Sequence, residues 1–159
     1  MADSHSADEF ASTQDERTMA TLAHALQMVG WWIAPLIIFL VRRQSRFVSF
    51  HALQALLLQV LHMVLIFSVM AIFVITMMTT FAHQAQDHTN APPPVIFVLF
   101  PIMWLYFMGS WILILTLSIV YSIKAGRGEW AGYPLLGRLA RKILKLPSHK
   151  IAAPQQPSI

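Results

Sequence analysis

Residues 47–81 read FVSFHALQALLLQVLHMVLIFSVMAIFVITMMTTF and contain no Asp, Glu, Lys or Arg. At a rise of about 1.5 Å per residue, some 20 such residues cross the roughly 30 Å hydrocarbon core of a bilayer, so this run is more than long enough to span one. Working outward in both directions, residues 18–41 and 94–123 are charge-free in the same way. Three such stretches in 159 residues leave no room for a separate soluble domain. The predicted fold class is therefore all-α, a polytopic membrane protein with three transmembrane helices at about 18–41, 51–81 and 94–123. Apolar residues make up 57% of the chain and charged residues 11%, whereas water-soluble domains carry about 25% charged residues.

The charges between the stretches are unevenly placed. Residues 1–17 carry five acids against Arg17, a net of −4; residues 42–46 carry Arg42, Arg43 and Arg46, a net of +3; residues 82–93 have Asp87 alone, −1; and residues 124–150 have seven basic residues against Glu129, +6. Lys and Arg near span ends mark the cytoplasmic side. With three crossings, this asymmetry predicts a multi-pass protein of the bacterial inner membrane with its C-terminus cytoplasmic and its N-terminus outside. Gly30-Trp31-Trp32 and Pro35 interrupt the first stretch, because proline removes a helix hydrogen bond and clashes with the preceding turn. A kinked crossing follows; the alternative is an interfacial helix at 18–29 leading into a re-entrant piece at 31–41, which leaves the N-terminus inside.

Residues 1–16, rich in Ser, Ala and acids, read as a disordered acidic arm, and the proline-bearing tail 147–159 as disordered too. Residues 17–146 form the transmembrane helical domain. Within it, Trp130 and Tyr133 suit the headgroup layer, where amphipathic aromatic rings concentrate. At 135–146 the helical period places Leu135, Leu136, Leu139, Ile143 and Leu146 on one arc and Arg138, Arg141, Lys142 and Lys145 on another. This is the pattern of a basic interfacial helix, whose partner is the anionic lipid of the inner leaflet. Nothing in the pattern suits nucleic acid.

The second span carries a polar stripe: His51, Gln54, Gln59, His62, Thr76 and Thr80 share one face at the helical period. The first carries Thr21, His24, Gln27 and Trp31 on another. Polar side chains in hydrocarbon need partners, so the two stripes are expected to meet, within a bundle or through association with a second membrane protein or copy. Interhelical hydrogen bonding is the role this predicts for His24, Gln59 and His62. A haem-binding electron carrier would require His24 and His62 to ligate together, but the small residues that seat a macrocycle are missing around them. No catalytic, cofactor or metal-binding residues are assigned. Gly109-Ser110-Trp111 is too short a match to a nucleophile motif, and His83, Asp87 and His88 lack a fixed geometry for an ion. These features predict a non-enzymatic subunit or scaffold of a membrane complex; a small oligomeric transporter or channel is the alternative, though no carboxylate or lysine lies within a span to drive coupling.

Two motifs occur together: Ser45-Arg46-Phe47-Val48-Ser49-Phe50-His51-Ala52-Leu53-Gln54-Ala55-Leu56, and Ile123-Lys124-Ala125-Gly126-Arg127-Gly128-Glu129-Trp130 followed by Tyr133-Pro134. Together they resemble a family of small bacterial membrane proteins of unknown function, similar to a chloroplast inner-envelope component of the Tic protein-import translocon. The resemblance covers roughly residues 17–140. It implies a link to protein translocation or membrane assembly, and structural or interaction roles for Arg46, Phe47, Phe50, His51, Gln54, Gly128, Tyr133 and Pro134.

Overall fold

The structure, a computed structural model, describes residues 12–86 and 92–146, and these are helical throughout apart from short connections. The helices are α1 (Gln14–Ala25), α2 (Gln27–Gly30), α3 (Ile33–Val41), α4 (Arg46–Gln86), α5 (Pro94–Gly126) and α6 (Leu136–Ile143). Most of the expected acidic arm, the loop residues Asp87 and His88, and the tail 147–159 lie outside the described residues.

Helix α1 begins earlier than composition suggests. The Thr13 hydroxyl accepts from the Glu16 amide at 3.2 Å, and the Glu16 carboxylate accepts from the Thr13 amide at 2.8 Å. This reciprocal capping box satisfies two of the orphan donors at the helix start, so residues 13–16 are helix and not arm.

The first apolar stretch does not form a single helix long enough to cross a membrane. Its helix breaks at Leu26 and again at Trp31, whose φ of 50° turns the chain between α2 and α3. A bulky residue at positive φ costs on the order of 1–3 kcal/mol and marks an enforced turn. Beyond it α3 runs back, and Arg42 just after α3 meets Asp15 at the start of α1, with Nη2 and the carboxylate 3.0 Å apart. Residues 14–42 are thus a helical hairpin with both ends at one level. Two helices, α4 and α5, are long and apolar enough to span a membrane, not three. Hydropathy predicted the extra span because a hairpin and a crossing need the same apolar residues.

The chain divides into two compact units, one of residues 1–59 with 115–159 and one of residues 60–114. In the second, the outer faces are apolar: Phe67, Ile72, Ile75 and Met78 of α4 and Phe97, Val98, Trp104 and Trp111 of α5 are all exposed. Their few hydroxyls bond within their own helices, Ser68 to the Val64 carbonyl at 2.8 Å and Thr76 and Thr80 to carbonyls one turn back at 2.9 and 2.7 Å. These bonds satisfy the three hydroxyls without a second helix. Pro101 interrupts the ladder of α5 in this unit.

The first unit holds the core. Phe47 packs against Ala20 and Ala125, and Phe50 with Leu53 against Ala140, with Trp130 touching both groups. Trp130 therefore lies on Phe47 and Phe50, at ring separations of 5.3 and 5.5 Å, and Tyr133, near it in sequence, is buried.

Candidate functional site: a buried histidine and tyrosine network

Inside the first unit, α1, α4, α5 and the segment 129–133 bring seven polar side chains into one cluster. The Nε2 of His24 lies 3.1 Å from Nδ1 of His51. His51 Nε2 is 3.0 Å from the Glu129 carbonyl, and the Tyr133 hydroxyl is 3.2 Å from His24 Nδ1. A carbonyl can only accept, so His51 Nε2 carries a hydrogen. In a neutral ring Nδ1 of His51 then accepts, His24 Nε2 donates to it, and His24 Nδ1 is left to accept from Tyr133. The chain runs in one direction, hydroxyl to imidazole to imidazole to carbonyl, and each polar atom in it is satisfied.

Gln54 makes the second tie. Its Oε1 accepts from the Tyr133 amide at 2.9 Å, and its Nε2 donates to the Phe50 carbonyl at 3.3 Å and, more weakly, to Ala131 at 3.5 Å. It fits because Gly132 and Gly137 face it: a Cβ on either would approach Gln54 Oε1 to 3.3 or 3.2 Å, and one on Gly137 would come within 2.7 Å of the Gly132 backbone. From α5, Ser118 donates to the His24 carbonyl, Tyr121 to the Gly132 carbonyl at 3.1 Å, and Thr21 of α1 to the Ser122 carbonyl at 3.3 Å. Interhelical bonds of this sort contribute about 0.6–2 kcal/mol each. Burial pushes the Tyr133 phenol well above its ordinary value, so it remains a neutral donor. The Gln27 amide lies close enough to oppose that rise, yet neither of its polar atoms reaches a partner in hydrogen-bond geometry.

The two polar stripes thus meet, but through fewer residues than the spacing implied. His24 finds His51 and not His62, which removes the paired ligation on which a haem reading depended. His62 Nε2 and Gln59 Oε1 have no partner, so neither is interhelical glue through those atoms. Phe47 and Phe50 are core, Arg46 stands exposed where α4 begins, and Pro134 is exposed after Tyr133. Gly128, at φ 79°, ends α5: its amide donates to the Ala125 carbonyl at 2.9 Å and that of Glu129 to Lys124 at 3.0 Å. This left-handed cap favours glycine. Ser118, Tyr121, Ser122 and Ala125 also face the site, and their i, i+3, i+4, i+7 spacing in an apolar helix is the sequence signal of that inward face.

Helix α6 is shorter than the expected 135–146, Leu146 packs on the core beyond its end, and one basic residue leaves the outer strip. Arg141 turns inward, its Nη2 donating to the Trp130 carbonyl at 3.0 Å and its guanidinium 5.0 Å from the centre of the Phe50 ring. Gly137 and Ala140 complete the packed face. The outward cationic strip is therefore Arg138, Lys142 and Lys145, with Leu135, Leu139 and Ile143 exposed alongside it. At the open end of the hairpin, a pocket of about 390 Å³ is lined by Asp15, Glu16, Arg42 and Ser45 among others. Partial burial alone would raise the Glu16 carboxyl, but hydrogen bonds from Ser45 and Thr13 and the charge of Arg42 outweigh it and hold it below the usual carboxylate range. No group of three or more His, Cys, Asp or Glu able to hold a metal ion is found among the described residues.

Two apolar helices long enough to span, joined to a unit whose buried polar side chains tie helices together, define a helical membrane protein. The chain matches the MamF/MmsF magnetosome magnetite crystal formation protein family over residues 15–140 and belongs to that family. This overturns the likeness to the chloroplast Tic component, because the family matched is a bacterial membrane family and nothing links it to Tic. No curated protein and no solved structure matches the chain.

Proposed function

We propose that this chain is a non-enzymatic structural subunit of the membrane within which magnetite crystals form. The observation that carries the reading is the use of the buried polar groups: His24, His51, Gln54 and Tyr133 bond to one another or to backbone, tying α1, α4 and the 129–133 segment. A catalytic centre needs such groups turned toward a substrate; here they hold a head together. Helices α4 and α5 anchor that head as two spans. The basic clusters 42–46 and 124–145 put both ends of the helical domain on the cytoplasmic face, with the connection between the spans on the other. Arg138, Lys142 and Lys145 then meet anionic headgroups, at about 1 kcal/mol per basic residue near the surface.

The test is complementation in a magnetosome-forming host lacking the chain. Wild type and a surface control such as Gln44→Ala restore crystal size and number, whereas His51→Ala, which opens the network, restores neither although it reaches the membrane. Full restoration by a variant shown to have lost the folded head would remove the structural reading.

A further inference from the structure

The hairpin of residues 14–42 is built to enter half a bilayer. Its arms are α1, 12 residues, and α3, 9 residues. At 1.5 Å per residue the charge-free part of α1, residues 18–25, is about 12 Å long and α3 about 14 Å, close to half of a hydrocarbon core of about 30 Å. No charged residue occurs from 18 to 41, while Asp15, Glu16 and Arg17 in the first turn of α1 and Arg42 and Arg43 after α3 make a charged base. The outer face and tip are apolar and exposed: Leu22 and Leu26 on one arm, Val29 (86%) and Trp31 (59%) at the turn, Ile33 and Ile37 on the other. A face this apolar beside a charged base is incompatible with water, and its charge distribution matches one leaflet with its headgroups.

The hairpin also has a fixed direction. Thr21 bonds to the Ser122 carbonyl and Ser118 to the His24 carbonyl, while a Cβ on Gly128 would meet Arg17 at 2.8 Å. Moving up α1 from Arg17 to His24 therefore means moving back along α5 from Gly128 to Ser118. Within the first unit α1 is thus antiparallel to the end of α5, with the charged base of the hairpin at the level of Arg127 and its tip directed back along that helix.

We propose that residues 14–42 form a wedge in the leaflet on the basic side only, and that this gives the protein a second activity: it bends membranes, or gathers where they are bent, with the wedge on the convex side. The lever is geometric. Volume added to one leaflet and not the other expands that leaflet alone, and the exposed Leu135, Leu139 and Ile143 of α6, in the same unit, add to the same side. The occupant of the apolar face is lipid acyl chain. The inference rests on the two-span reading above.

The chain has no cysteine, so single cysteines report cleanly. Gln14→Cys, Val29→Cys, Gln44→Cys, His83→Cys and Lys142→Cys are probed with a membrane-impermeant maleimide in sealed vesicles. Positions 14, 44 and 142 are expected to label from one face, 83 from the other, and 29 from neither. Labelling of 14 together with 83 means the stretch crosses and overturns the wedge, as does labelling of 29 from the face of 14 and 44. Labelling of 83 with 14 and 44 overturns the two-span reading instead. Curvature is then read on membrane tubes drawn from giant vesicles of phosphatidylcholine and phosphatidylglycerol. Gln44→Cys protein is dyed from outside, so only copies with the base outward are seen. These should be several-fold denser on the tube than on the parent vesicle, and Val29→Asp, Ile37→Asp should return the ratio to one. A ratio of one for the wild type, or crosslinking of position 29 to a second copy as its main neighbour, overturns the proposal.

Discussion

Gln54 and Gln59 lie on the same helix and are both buried, yet the structure gives them opposite energetic roles. Gln54→Met keeps the length and volume of the side chain and leaves the Tyr133 amide, now 2.9 Å from Oε1, without an acceptor in the interior. A buried donor left unmade costs about 1–3 kcal/mol, and the weaker bonds to Phe50 and Ala131 are lost as well. The expected loss is about 2 kcal/mol, on the order of 30-fold in the folding equilibrium. Gln59→Leu instead removes an amide whose Oε1 already lacks a partner, so the change should fall within about 0.5 kcal/mol of neutral or stabilise the protein. Reversible unfolding in mixed micelles, followed by tryptophan fluorescence, measures both, since Trp130 rests on Phe50 one turn from Gln54. Equal losses for the two variants, or a loss below about 0.5 kcal/mol for Gln54→Met, would refute the assignment of the network.

Other changes are expected to act locally. Gly128→Ala forces a Cβ to within 2.8 Å of the Arg17 and Ser12 side chains at φ 79°, and should lower thermal stability by about 1 kcal/mol or more. Lys145, at φ 51°, closes α6 where glycine is favoured; Lys145→Gly should raise stability by roughly 0.5–1 kcal/mol in the same unfolding assay. Tyr133→Phe deletes the donor to His24 Nδ1 and should cost about 1 kcal/mol, visible as a lower melting temperature. The depressed Glu16 carboxyl contributes stability that is present above its unfolded value, about 4.3, and lost as pH falls through its lower folded value. Thr13→Val removes part of that depression, so its melting temperature should fall less than that of wild type on acidification from pH about 5 to 3; parallel curves would count against the capping box as the cause.

The membrane setting was legible because charge-free length is a one-dimensional property, and 47–81 and 94–123 carry it without ambiguity. The meeting of His24 with His51 was half legible: the helical period put each on a polar stripe, but the period says nothing about which level of one helix faces which level of another. The hairpin was legible only as the alternative to a kinked crossing: Gly30-Trp31-Trp32 and Pro35 mark a break, but the choice depends on the φ of one residue, Trp31, and on an ion pair between residues 15 and 42. Tyr133 and Arg141 misled for a common reason. Aromatic and basic residues next to a span suit the headgroup layer by type, and only the small faces of Gly132, Gly137 and Ala140 reveal that this segment folds back over the core.

That fold-back has a consequence for the order of biosynthesis. His51 obtains its acceptor from Glu129 and Gln54 its donor from Tyr133, residues made 78 and 79 positions later. At 5–20 residues per second, translation leaves these polar groups waiting for about 4–16 s after they emerge. Through that interval the growing chain has its helices but no closure, and the segment 129–146 acts as a clasp fastened last. A ribosome that stalls before Glu129 would release a chain unable to shut its head, with His51 Nε2 and Gln54 Oε1 each lacking the partner that the clasp supplies.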